Sequence, residues 1–155
     1  MGNINYNNNR RKIIIIIFLV CIISCLCFYN NYAEIKKKTI LENEAIYLSE
    51  IIKKELNECI LKNIKCFDNH LNSSDIYNKD KFTSALELFV KKKKILNPYS
   101  YFKEPSAIIG SYYETLSCDN IGKYNGIIIS NNDNKVKISV CFVLHKSREE
   151  EFLIK

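Results

Sequence analysis

Along the chain the apolar positions fall into three regimes, each with its own period. The first is an unbroken run: residues 13–28, with Ile13 and Phe28 as its ends, hold twelve Ile, Leu, Val or Phe residues and four small ones, Cys21, Ser24, Cys25 and Cys27. The second has helical spacing. Leu41, Ala45, Leu48, Ile52, Leu56 and Cys59 step by 4, 3, 4, 4 and 3, which puts them on one helical face, with Glu42, Asn43, Glu50, Lys53, Lys54 and Glu58 largely outside it. Glu50 and Lys54 stand i,i+4 in the order that favours pairing. The third regime has the period of a strand. Over residues 135–146, Val136, Ile138, Val140, Phe142 and Leu144 share one side, and Lys135, Lys137, Ser139, Cys141 and Val143 share the other.

The segments between these regimes fill out an α+β chain. Residues 67–79, FDNHLNSSDIYNK, are polar and turn-rich and read as a loop. Residues 80–96 set Phe82, Leu86, Phe89 and Val90 on one face of a second, short helix, with Asp80 as its N-cap and Lys91 to Lys94 as a solvated last turn that suits the helix dipole. Pro98 and Pro105 end that helix, strands follow at 107–117, 125–130 and 135–146, and NNDN at 131–134 turns between the last two. The final SREEEFLIK reads as a loosely added tail. The expected fold is therefore α+β: a long N-terminal helix, with a membrane half and an amphipathic half, packed on a small antiparallel sheet of three or so strands, one face buried.

Breakers are placed to permit that long helix. Neither glycine nor proline occurs between Gly2 and Pro98, and these are the usual interruptions of helical runs. Asn30 and Asn31 weaken the helix locally, by well under about 1 kcal/mol each against Ala. One helix from about residue 11 to about residue 63 would be roughly 75 Å long. Ile, Lys and Asn number 25, 20 and 19, and all have A/T-rich codons, so position along the chain says more than the choice among residue types.

Charge and cysteine usage narrow the meaning of the apolar run. It would rise about 24 Å as a helix against a hydrocarbon core of about 30 Å, and Tyr29, Tyr32 and Ala33 extend it into the interfacial zone. Four readings remain open: a cleaved signal peptide, a lipid-anchored export signal, a permanent anchor, or the apolar half of a filament helix. Cleavage has only NYA at 31–33 as its site. Ile22-Ile23-Ser24-Cys25 resembles a bacterial lipobox with Cys25 lipidated, although the apolar run continues beyond it. Gly2 lacks the Ser or Thr that supports N-myristoylation.

The divisions that follow are a basic leader at 1–12, an apolar membrane segment at 13–32 and an exported domain at 33–155. Part of the net charge of +6 sits in Arg10, Arg11 and Lys12 on one flank and Lys36, Lys37 and Lys38 on the other, which leaves orientation nearly even. The four cysteines beyond the run, Cys59, Cys66, Cys118 and Cys141, tip it. An even set in a small domain fits disulfides, and disulfides persist outside the cytosol, so the N-terminus is placed inside and the C-terminal domain in the periplasm or at the cell surface. The simplest pairing is Cys59 with Cys66 and Cys118 with Cys141, one of three connectivities. A metal alternative at Cys59, Cys66 and His70 has no standard zinc spacing.

No catalytic grouping, P-loop or dinucleotide fingerprint organises the polar residues, and no finger or RNP-like motif organises the ten tyrosines for nucleic acid. The expectation is a non-enzyme with no cofactor, whose partners are the bilayer and other envelope subunits. The NSS at 72–74 is a glycosylation sequon only for a chain on a eukaryotic secretory route.

The order of basic leader, apolar helix, YNNYAEIKKKTILENEAIYLSEIIKKEL and a small sheet with a late cysteine pair resembles a type IV pilin or pseudopilin. NPY at 97–99 and the stretch between Cys118 and Cys141 are similar to the sheet region of such proteins. The resemblance implies a structural subunit, a minor pilin or pseudopilin, that packs against other subunits through its apolar helix in a filament or secretion assembly. It does not extend to the leader. Lys12 runs directly into Ile13 and no acidic residue lies between Gly2 and Glu34, so neither prepilin processing nor the pairing of a membrane glutamate carries over.

Overall fold

The computed structural model describes residues 3–100, 107–110, 118, 125–132, 135–142 and 145–153. Two helices precede four strands: α1 (Asn3–Lys62), α2 (Lys79–Lys92), β1 (Ala107–Gly110), β2 (Gly126–Asn132), β3 (Lys135–Phe142) and β4 (His145–Leu153). The chain divides into two compact units, residues 1–38 and 39–155. The first is helical from Asn3 onward, straight through Tyr29-Asn30-Asn31-Tyr32.

In the second unit the heptad-like stripe is the core face of α1. Leu41, Ala45, Leu48, Ile52, Leu56 and Cys59 are all buried, and they join Phe82, Ala85, Leu86, Phe89 and Val90 of α2 and Ile127, Ile129, Val136, Ile138 and Val140 of the sheet in one cluster. Burying a side chain of this size contributes about 1.5–3 kcal/mol relative to leaving it exposed. The end of α1 is set by Asn63, whose φ of 49° takes the chain into the left-handed region. There Ile64 N–H donates to Cys59 O at 3.1 Å and Asn63 N–H to Ile60 O at 3.4 Å, the paired bonds of a Schellman cap. Lys54 lies 3.9 Å from Glu58, so the expected Glu50–Lys54 pair is replaced by one pointing toward the helix end.

The N-cap of α2 lies two residues before Asp80. It is Asn78, accepting from Lys81 N–H at 3.2 Å. Asn and Asp serve equally well in that role, and the cap goes to Asn78 because the helix begins at Lys79. Its last turn carries Lys91, 2.7 Å from Glu87, and Lys92, 3.5 Å from Asp68, while Lys93 Nζ sits 4.3 Å from the centre of the Phe89 ring. The turn is largely solvent-exposed as expected, and its lysines also make these local contacts.

The sheet has the order β1-β2-β3-β4. Strands β2, β3 and β4 are antiparallel, and β1 is added parallel to β2. A parallel neighbour needs a connection of about a dozen residues or more, and residues 111–125 supply it. The strand expected at 107–117 is described only at Ala107–Gly110, and residues 133–134 of the expected NNDN turn also lie outside the described residues. The strand expected to run to 146 ends at Phe142, with His145 and Lys146 opening β4.

The expected tail is therefore a strand. β4 has little apolar alternation because charge holds it: Lys135 lies 2.8 Å from Glu151, and Lys137 is ion-paired with Glu149. Cross-strand pairs of opposite charge are worth about 0.2–1 kcal/mol each. Phe152 reaches back to the core, with Lys53 Nζ 4.8 Å from its ring centre. Both faces of the middle strands are closed, where one was expected. Ile128, Ser130, Ser139 and Cys141 are buried on the side away from the Ile127–Ile129–Ile138 core, where the bond from Cys141 to Cys118 crosses.

Candidate membrane segment and disulfide framework

Two features carry the chemistry of this chain, one in each unit. In the first, every residue from 13 to 28 is exposed, the large apolar ones from 41% at Ile22 to 76% at Phe28. The helix is long and apolar enough to cross a membrane and lies near the N-terminus. Helical geometry satisfies its backbone internally, as the hydrocarbon region demands. Twelve Ile, Leu, Val and Phe at about −0.3 to −0.6 kcal/mol each favour insertion by roughly 5 kcal/mol, with no charge inside the run to oppose it. Arg10, Arg11 and Lys12 end one side. On the other, Lys37 Nζ lies 3.5 Å from Glu34, which trims the positive charge of the Lys36–Lys38 cluster. Cys21, Cys25 and Cys27 are free and exposed on this helix.

In the second unit the four remaining cysteines form two disulfides, Cys59–Cys66 and Cys118–Cys141, the simplest of the three connectivities. With Cys59 and Cys66 bonded to each other, the metal alternative with His70 loses its ligands. Among the described residues no group of three His, Cys, Asp or Glu side chains is arranged to hold an ion.

The first bridge ties the last turn of α1 to a tight turn at 66–71. Phe67, Asp68 and Asn69 have φ of 51°, 53° and 72°, three successive left-handed residues. The turn is clamped by Cys66 N–H to Leu71 O at 2.7 Å, Leu71 N–H to Cys66 O at 3.2 Å and His70 N–H to Phe67 O at 3.1 Å. Its purpose is visible in the core: Phe67 is fully buried, with ring centres 5.5 Å from Phe82 and 5.3 Å from Phe89. Leu71 and Ile76 follow it inward. A short 3₁₀ turn at Ser73–Asp75 completes the segment, and Ser73 Oγ donates to Asn63 Oδ1 at 2.6 Å, tying it to the cap of α1. Asn72 of the sequon is exposed and donates to Asp75 Oδ2 at 3.2 Å. Lys81 Nζ, 2.9 Å from Asp75, and the Asn72 amide hold the Asp75 carboxyl below the usual carboxylate range.

A further anchor was not legible as such. Asn97 is buried. Its Nδ2 donates to Asn125 O at 2.6 Å and its Oδ1 accepts from Tyr99 N–H at 2.9 Å, so one side chain fixes the turn after α2 and the entry to β2. The Asn-Pro dipeptide signals the turn, but the partner 28 residues on is a product of the fold.

Set against family models, curated proteins and solved structures, the chain matches none of them.

Proposed function

We propose that this protein is a non-enzymatic, single-pass membrane subunit of the pilin-like type, a minor pilin or pseudopilin, with residues 1–12 inside and the disulfide-bonded domain in the periplasm or at the cell surface. The observation that carries the reading is one helix, α1, whose residues 13–28 are uncharged, mostly apolar and exposed while Leu41 to Cys59 form a core face shared with the sheet. A segment of the first kind is stored in a bilayer, and the same surface can bury against neighbouring helices when subunits assemble. The two disulfides support export of the second unit.

A second reading is a retained single-pass envelope protein, or a lipoprotein modified at Cys25, that presents its domain as a binding module. The absence of an acidic residue between Gly2 and Glu34 favours it over subunit addition. Mechanical shearing of intact cells separates the two. A filament subunit appears in the sheared extracellular fraction and cross-links to copies or neighbours through Cys21, Cys25 or Cys27. An anchored module stays wholly in the membrane fraction, which would refute the filament assignment.

A further inference from the structure

Between the C-terminal end of α2 and the edge strand β1 lies a cavity of about 500 Å³, within the size range of small-molecule sites, roughly 300–1,000 Å³. Val90, Ile95, Leu96, Ala107 and Ile109 make its walls apolar. Among the described residues its charged groups are Glu87, Lys91 and Lys94. Glu87 is neutralised by Lys91, whose Nζ lies 2.7 Å away, and Lys91 and Lys94 are both exposed. The site therefore joins an apolar chamber to a margin of net positive charge.

We propose that this cavity binds a medium-chain carboxylate amphiphile, its acyl tail between α2 and β1 and its carboxylate at Lys94, with Lys91 as a second donor. The charge sign selects the ligand. A neutral hydrocarbon leaves the cations unused, and a cationic amphiphile meets repulsion from them. The walls come from two elements of the core cluster and its margin, so the chamber is formed before the ligand arrives. Each methylene buried there adds about 0.8 kcal/mol, so a chain two carbons shorter binds about fifteenfold more weakly.

The test uses the full chain in phosphatidylcholine nanodiscs, with isotope-labelled Ile, Leu and Val methyls, titrated with octanoate. The expected result is saturable shifts at Val90, Ile95, Leu96 and Ile109. Hexanoate should bind about fifteenfold more weakly. Lys94→Gln should weaken octanoate about fivefold, the effect of about 1 kcal/mol for an exposed charge. Octyltrimethylammonium, with the same tail and the opposite charge, should not saturate these methyls. Non-saturating or dispersed shifts overturn the proposal, as do equal affinity for the cationic probe or an unchanged affinity in Lys94→Gln. The methyl spectrum of the variant shows directly that it is folded.

Discussion

Replacing Phe67 with alanine tests whether the 67–79 segment is an integral part of the core or a surface loop. The ring is fully buried between Phe82 and Phe89. Truncating a buried Phe to Ala costs about 3–5 kcal/mol. The left-handed backbone at Phe67, φ 51°, is equally unfavourable for Phe and for Ala, so it cancels. Taking about 4 kcal/mol against a domain stability of about 5–15 kcal/mol, and an m-value of about 1.5 kcal/mol/M, the urea midpoint falls by about 2.5 M. Phe67→Gly sharpens the test. At an ordinary helical or strand position glycine is worse than alanine by about 0.5–1 kcal/mol. At φ 51° it should instead be better, by about 1 kcal/mol. The assay is urea unfolding of the full chain in mild detergent under non-reducing conditions. A cost below about 1 kcal/mol for Phe67→Ala would show the ring is not packed as described, and Phe67→Gly falling below Phe67→Ala would remove the left-handed turn.

Further expectations follow from the same contacts. With sequence separations of 7 and 23, replacing Cys59 and Cys66 by alanine should cost about 2.5 kcal/mol and replacing Cys118 and Cys141 about 3.4 kcal/mol on the loop-entropy model, so the second pair should show the larger drop in urea midpoint. Asn97→Ala removes the bonds to Asn125 and Tyr99 and should lower stability by about 2 kcal/mol, while Asn97→Asp, which keeps the acceptor for Tyr99 N–H but sets a buried carboxylate oxygen against Asn125 O, should lower it at least as much at neutral pH, read by thermal unfolding. Asp75 has a folded pKa below its unfolded value, so its contribution is present above the unfolded pKa and is lost as pH falls through the folded one. Carboxyl NMR should find Asp75 titrating lower than an ordinary Asp, and Lys81→Met should move it up; an unmoved Asp75 would break the assigned pairing with Lys81.

What could be read from the residues, and what could not, divides along physical lines. The stripe from Leu41 to Cys59 and the Phe82–Leu86–Phe89–Val90 face were legible because a helix turns a local period into a buried face. The disulfide pairs were legible as one of three options, because few cysteines lie beyond the apolar run. Phe67, Leu71 and Ile76 were hidden because isolated apolar residues in a polar segment have no period, and the turn that sends them inward uses left-handed residues that are not glycine. β4 was missed because its partners are Lys135 and Lys137 rather than an apolar face. The parallel addition of β1 and the second buried face both depend on where the chain goes between strands, which local pattern does not encode. The α2–β1 cavity likewise gathers residues from 87 to 109 that only the fold brings together.

In the proposed arrangement residues 13–28 anchor the chain in a membrane and the domain beyond them is exported and oxidised. Intact mass of membrane-extracted protein, alkylated without reduction and mapped by peptides, tests it most directly. The expected product keeps the 13–28 segment, carries alkyl groups only on Cys21, Cys25 and Cys27, and yields Cys59–Cys66 and Cys118–Cys141 as linked peptides. A new N-terminus at Cys25 bearing acyl mass would contradict the retained anchor, and alkylation of all seven cysteines would contradict export.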